Sequence, residues 1–226
     1  MSLRGVIFDF NGTIVFDEKF HFQAWQKFFS EKTGMKIEQE DYQKYFQGVN
    51  IDVIIEKYIP QKIGKAEVAE LAEEKESMYR QICLESEDFK FADGLKEFLD
   101  ALKKNHVPMT IATAAGLKNV KFFFEHFKLD EWFNFEYVVY DDGTLPGKPA
   151  PDIFLKAAEV IGVEISDCII FEDSRSGIKA AKNSGAYKVI GITSTLDEKT
   201  LLERGATNVI SDYTNLNSLL ELVCKD

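Results

Sequence analysis

From residue 94 onward the chain alternates between amphipathic helical stretches and short apolar runs, and this alternation limits the fold more than any other feature. Helical patterns cover 94–104, 117–127, 152–161 and 176–184. Apolar runs of strand length cover 108–113, 136–140, 168–172 and 187–192, and two short helix-and-strand pieces finish the chain. Strands that alternate with helices form a parallel sheet, because each crossover helix packs back against a face of it. An earlier run, Gly5-Val6-Ile7-Phe8-Asp9, has the same character and can join that sheet. The expected class is α/β, with helices on both faces of a parallel sheet.

Between that first run and residue 87 the pattern is helical throughout. Phe20, Ala24 and Phe28 fall on one stripe, with Phe22, Trp25 and Phe29 beside it, and Gly34 suits the helix stop. Further helices are expected over 39–46, over 51–58 with Pro60 ending it, and over 65–85. Residues 16–86 therefore form an all-helical cap domain, inserted after the first strand, and 1–15 with 87–226 form the sheet-bearing core.

The 226 residues are 45% hydrophobic, enough to bury a sizeable core. The formal net charge of −11 argues against a broad nucleic-acid surface. A phosphate site in so acidic a chain must be made locally. The three cysteines, Cys83, Cys168 and Cys224, have neither the count nor the spacing of a disulfide framework or a zinc site, and Cys168 opens a very apolar run that reads as core. Met1-Ser2-Leu3-Arg4-Gly5 has no signal-peptide layout, and no run reaches membrane-spanning length, so a cytoplasmic protein without a membrane partner is expected.

In open sheets of this kind ligands bind beyond the carboxyl ends of the strands. That rule singles out Asp9, Thr113 and the pair Glu172-Asp173. Asp9 opens Asp9-Phe10-Asn11-Gly12-Thr13. A carboxylate there can attack a phosphorus centre, although an ordinary Asn-Gly turn reads as readily. The same three residues, Asn11-Gly12-Thr13, make a formal glycosylation sequon, which is discounted without a secretory signal. Glu172 and Asp173 at a buried strand end repel each other and Asp9, by roughly 4 kcal/mol per pair at 4 Å and a surface-like dielectric. A hard divalent cation relieves that repulsion, and oxygen ligands favour Mg²⁺. The alternatives are solvated loop acids or an Asp173 helix cap. Lys148 precedes Pro149-Ala150-Pro151, where a rigid turn aims it with little entropy loss; it could neutralise a nucleophile and phosphoryl oxygens, or be a plain solvated lysine. Thr113, before Ala114-Ala115-Gly116, can donate to a phosphate oxygen or be a plain strand residue.

Taken in order, these pieces resemble the haloacid dehalogenase-like superfamily, over essentially the whole chain. Residues 147–154, 171–177 and the stretch His21-Phe22-Gln23-Ala24-Trp25 resemble its β-phosphoglucomutase subgroup. The resemblance implies a Rossmann-like core with a mobile cap. It also implies Asp9 as nucleophile and metal ligand, and a backbone-carbonyl metal ligand from Asn11. Asp173 and Glu172 would be metal ligands, and Thr113 and Lys148 would hold the phosphoryl group. The family usually has an acid/base aspartate where this chain has Asn11, whose amide cannot shuttle a proton near neutral pH. His21, at the spacing of the subgroup's histidine, is expected to take over some of that work. Gln47 and Ile51 stand where the mutase grips its distal phosphate with Lys and Arg, and Ala114 stands where a polar residue is more usual.

The expected function is a Mg²⁺-dependent phosphatase for a small phosphorylated metabolite, possibly a sugar phosphate, acting through an aspartyl phosphate as a monomer or weak homodimer. The alternatives are a β-phosphoglucomutase and a low-turnover phosphate-ligand binder. A dehalogenase is disfavoured by Lys148 and the acidic pair, and no cap lysine is marked out for a phosphonoacetaldehyde hydrolase.

Overall fold

The computed structural model describes residues 4–223, so Cys224 and Met1-Ser2-Leu3 lie outside the described residues. The chain divides into two compact units, one of residues 1–16 and 90–226 and the other Asp17–Phe89.

In the first unit the described residues form one sheet of six parallel strands, a Rossmann-like α/β core. The strands are β1 (Gly5–Phe8), β2 (Met109–Gly116), β3 (Val139–Asp141), β4 (Cys168–Glu172), β5 (Lys188–Ile192) and β6 (Asn208–Ile210). Their order is β3-β2-β1-β4-β5-β6, which puts β1 at the centre. Every residue of β1 and β4 is buried, as expected for strands covered on both faces.

Alternation along the strands sorts the two faces. Ile7 and Ile170 pack with Phe154 and Ala157, with Ile178 and Ala181, and with Leu201. Those partners come from α7 (Asp152–Val160), α8 (Arg175–Ser184) and α9 (Glu198–Arg204). Phe8 and Phe171 point the other way, stack at 5.0 Å, and pack with Phe98 of α5 (Leu95–Lys104) and with Tyr213. The remaining core helices are α6 (Leu117–Phe127) and α10 (Leu216–Val223).

Two expected strands differ from those observed. The run 136–140 is not a strand throughout. Residues Phe135–Tyr137 form a 3₁₀ turn, because the Asn134 side chain accepts from Glu136 N at 3.1 Å, and β3 begins only at Val139. Nor does β2 close at Thr113. It runs on to Gly116, with an irregular register between Ala112 and Gly116. The Thr113 hydroxyl accepts from Ala115 N at 3.1 Å, a local bond that competes with the ladder.

The second unit is wholly helical. It contains α1 (Glu18–Thr33), α2 (Gln39–Tyr45), α3 (Ile51–Tyr58) and α4 (Lys65–Leu84). Gly34 ends α1 in the left-handed conformation, φ 72°, with its N–H on Ser30 O. Of the apolar residues read from the sequence, Trp25, Phe28 and Phe29 pack with Tyr42, Phe46, Ile54, Ile55 and Val68, with Phe22 against them, and Phe20 and Ala24 are buried outside that cluster. No helix among the described residues is long and apolar enough to cross a membrane.

Candidate active site

Asp9 follows β1 and stays in the sheet, its N–H donating to Phe171 O on β4 at 2.9 Å. The chain then turns sharply. Thr13 and Ile14 N–H both donate to Phe10 O, and Gly12 N–H donates to Val15 O at 2.7 Å. Gly12 has φ 76°, and a Cβ there would lie 2.2 Å from Asp173 Oδ2. The glycine therefore serves two needs, a left-handed turn and the close approach of a carboxylate.

The end of β4 supplies that carboxylate and its neighbour. Glu172 and Asp173 are both buried. Glu172 Oε1 accepts from the N–H groups of Asp173 (2.9 Å) and Ser174 (3.0 Å), just before α8. Its other oxygen fills the space where a side chain at Gly177 would start: a Cβ there would fall 1.1 Å from Glu172 Oε2. The cap of α8 is Ser174, whose Oγ accepts from Gly177 N at 3.0 Å, so Asp173 is not the helix cap and its carboxylate is left for other work.

Lys148 closes the group. Its Nζ donates to Asp9 Oδ1 at 2.5 Å and to Glu172 Oε2 at 3.0 Å. The Lys148-Pro149 peptide is cis. Burial alone would push the ammonium's pKa down, but Asp9 and Glu172 outweigh it and hold Lys148 above the ordinary lysine range.

Asp9, Glu172 and Asp173 thus offer oxygens that all lie within 4.8 Å of one another. Among the described residues Lys148 pairs with two of the three carboxylates, Asp9 and Glu172, which leaves excess negative charge in a buried place. Burial, and then Glu172 and Asp9, push the Asp173 carboxyl well above its usual range, while a hydrogen bond from Thr195 pulls the other way. A buried, all-oxygen donor set with unbalanced charge fits a hard divalent cation such as Mg²⁺, and the group contains no His or Cys that would suit zinc.

The other expected residues are placed less tightly. Asn11 is half-buried in the turn between Asp9 and Gly12. Thr113 is buried on β2, the strand beside β1, two residues beyond the Ile111 that pairs with Phe8. Ala114 is exposed. His21 belongs to the helical unit. Its Nδ1 lies 3.0 Å from Lys75 Nζ, its Nε2 lies 3.5 Å from Asp17 Oδ2, and its ring stacks on Tyr79 at 4.0 Å. An ammonium has only hydrogens to offer, so Nδ1 accepts and the neutral ring carries its hydrogen on Nε2. Gln47 hydrogen-bonds Glu18, and Ile51 opens α3, half-buried.

Sequence reasoning passed over Ser194 and Thr195. Ser194 Oγ donates to Gly12 O at 2.5 Å, and Thr195 Oγ1 donates to Asp173 Oδ2 at 2.9 Å. Both follow β5, so the rule that drew attention to the other strand ends would have found them.

Residues 6–192 match the family model of the haloacid dehalogenase-like hydrolases. The chain belongs to that family. This hydrolase is 28% identical to a phosphorylated carbohydrates phosphatase of Thermotoga maritima, across 98% of this chain and 100% of that one. It is also 28% identical to a β-phosphoglucomutase of Bacillus subtilis, across 83% of this chain and 82% of the other. Among solved structures, a haloacid dehalogenase-family hydrolase of Entamoeba histolytica superposes with a TM-score of 0.90 at 36% identity, covering 97% of this chain and 98% of that one. The resemblance read from the motifs is a family membership, to a β-phosphoglucomutase-like member of the superfamily, and the family is one of enzymes.

Proposed function

We propose that this hydrolase is a Mg²⁺-dependent phosphatase of a small phosphorylated carbohydrate, working through an aspartyl phosphate on Asp9. The observation that carries the reading is Lys148, held between Asp9 and Glu172 inside a buried group of three carboxylates. That arrangement suits a nucleophile whose incoming group is itself an anion. The Thermotoga maritima relative supports the substrate class by its name.

Asp9, Glu172 and Asp173, with the Asn11 carbonyl, would hold Mg²⁺, which when bound offsets their charge and that of the phosphoryl oxygens. An Asp9 carboxylate oxygen forms a bond to phosphorus while the bond from phosphorus to the sugar oxygen breaks. Lys148 and Thr113 bind the phosphoryl oxygens through both steps. The departing oxygen needs a proton. Asn11 cannot give one, and His21 is the proposed source: it gives its Nε2 hydrogen as Nδ1 takes one from the Lys75 ammonium 3.0 Å away, so the ring stays neutral. Water then bonds to phosphorus and returns its proton to the His21–Lys75 pair, the bond to Asp9 breaks, and inorganic phosphate leaves. The helical unit acts as the cap that selects the substrate.

The test is phosphate release from a panel of sugar phosphates and other monoesters with Mg²⁺. Release is expected to fall to background in Asp9→Asn. An Asp9→Asn protein as active as the wild type would sink the reading.

The Bacillus subtilis relative favours a second reading, a β-phosphoglucomutase. Gln47 and Ile51, neither of which carries a positive charge for a distal phosphate, weigh against it. A coupled assay for conversion of β-glucose 1-phosphate to glucose 6-phosphate separates the two.

A further inference from the structure

The segment after β5 holds two parts of the active site that come from different strands. Thr193 N–H donates to Ile210 O at 3.0 Å, tying the start of the segment to β6. Ser194 Oγ donates to the carbonyl of Gly12, at 2.5 Å. Thr195 Oγ1 lies 2.9 Å from Asp173 Oδ2 and 3.3 Å from the Asp173 carbonyl. A hydroxyl has one hydrogen, and the shorter contact to the carboxylate is the better use of it.

The Asp173 carboxylate is therefore fixed from several directions. The Gly12 backbone leaves it room where a Cβ would intrude. Thr13 Oγ1 approaches the other oxygen, Oδ1, at 3.5 Å, which is at the limit of a useful bond. Of these, Thr195 makes the one short side-chain hydrogen bond to the carboxylate among those the structure describes. Its donation sets the carboxylate plane and leaves lone pairs on both oxygens for a ligand.

We propose that Thr195 is a positioning residue for the metal: its hydroxyl orients the Asp173 carboxylate for Mg²⁺, while Ser194 holds the Asp9–Thr13 turn in step with it. This rests on the reading of Asp9, Glu172 and Asp173 as the Mg²⁺ ligands. Outer partners of metal ligands act by holding the ligand's orientation, and losing one costs about 10–100-fold in metal affinity. Thr195 is partly exposed, so a change there need not disturb the core.

The experiment measures Mg²⁺ affinity by titration calorimetry on the full chain, with no substrate present. Four variants are compared: Thr195→Val, Thr195→Ala, Thr195→Ser and Asp173→Asn. Thr195→Val and Thr195→Ala are expected to weaken Mg²⁺ binding by about 10-fold or more. Thr195→Ser keeps the hydroxyl and should stay within about 3-fold of the wild type. The thermal midpoints of the Thr195 variants in EDTA should match the wild type, which a merely structural role would not allow. Wild-type affinity in Thr195→Val or Thr195→Ala overturns the proposal. So does a loss in Thr195→Ser equal to that in Thr195→Ala, which would assign the effect to the methyl group; this comparison stands even if Thr195→Val does not fold. Undiminished binding in Asp173→Asn, or no Mg²⁺ binding by the wild type, would instead bring down the metal-site reading itself, and the proposal with it.

Discussion

Each unit of the chain buries a polar cluster, and the two differ in how their charges are met. In the core, Asp9 and Glu172 share the Lys148 ammonium, and the Asp173 carboxylate lies within the same group. In the helical unit, Lys75 is as deeply buried, yet its Nζ reaches both His21 Nδ1 (3.0 Å) and Glu76 Oε1 (2.8 Å) and lies 4.9 Å from the Trp25 ring centre. Asp17 there receives the Tyr79 hydroxyl. Burial, and then Asp17, push the Tyr79 phenol well above its usual range, so it remains a donor. Among the described residues, the converging carboxylates that suit a cation occur in the core group and not in the helical one. Burial of polar groups is thus no sign of a ligand site by itself. A cluster whose charges meet partners within it needs no ion, and one left with excess charge calls for something from outside.

The core cluster also lacks a proton carrier beside the nucleophile, and restoring one should give the largest effect. Asn11→Asp is expected to raise kcat for phosphate release by about 10²–10⁴-fold, the usual worth of general acid–base help. No gain, or a fall, would mean that His21 already supplies the proton and that Asn11 does not limit turnover. Next in size is Lys148→Met. Turnover should drop about 10²–10³-fold, as when an oxyanion donor is removed. Mg²⁺ affinity measured by calorimetry should hold or tighten, because the cluster loses its competing positive charge. Weaker Mg²⁺ binding in Lys148→Met would break the claim that the core cluster is open for want of cations.

Metal removal probes the same contrast through stability. Free Mg²⁺ at about 100 times its Kd should stabilise the folded protein by about 2.7 kcal/mol, read as a rise in thermal midpoint over an EDTA-treated sample. Gly177→Ala should abolish that rise, since a Cβ would fall 1.1 Å from Glu172 Oε2 and the carboxylate must leave its place. A full Mg²⁺-induced rise in Gly177→Ala would show that Glu172 is dispensable to the metal.

Much of this contrast was legible in the sequence, and the illegible part has a common cause. Asp9, Glu172 and Asp173 were found because apolar runs stop on them, and strand order then brings β1 beside β4. Helix α1 was legible from its apolar stripe and Gly34. Cys168 was legible as core; its thiol is buried and, with Asp167 and Glu164 nearby, pushed up to about 12. Sequence pattern failed where a short-range side-chain bond decided the backbone, as at Asn134, which turned an expected strand into a 3₁₀ turn, and at Thr113, which disturbs the end of β2. It also failed where a residue matters through a contact far along the chain. Nothing local marks Gly177 as the floor under Glu172, and nothing local ties Thr195 to Asp173. Lys75 is the same kind of case, since nothing local marks it out among the lysines of the helical unit.

Lys75 therefore gives the last and smallest test. Methionine matches much of its length without the ammonium, so Lys75→Met removes a donor from His21 Nδ1 and from Glu76 and keeps most of the packing against Trp25. Glu76 keeps some exposure, with 22% of its side-chain surface accessible, and water can take over part of the lost bond. The expected loss is accordingly about 1–3 kcal/mol in urea unfolding, the range for an unmet buried polar group rather than for a fully stranded charge. Mg²⁺ affinity should not change, because the contacts of Lys75 are with His21, Glu76 and Trp25 and not with Asp9, Glu172 or Asp173. A 10-fold change in Mg²⁺ affinity with no loss of stability would reverse the assignment, making Lys75 part of an open site and leaving the stability of the helical unit to its aromatic core alone.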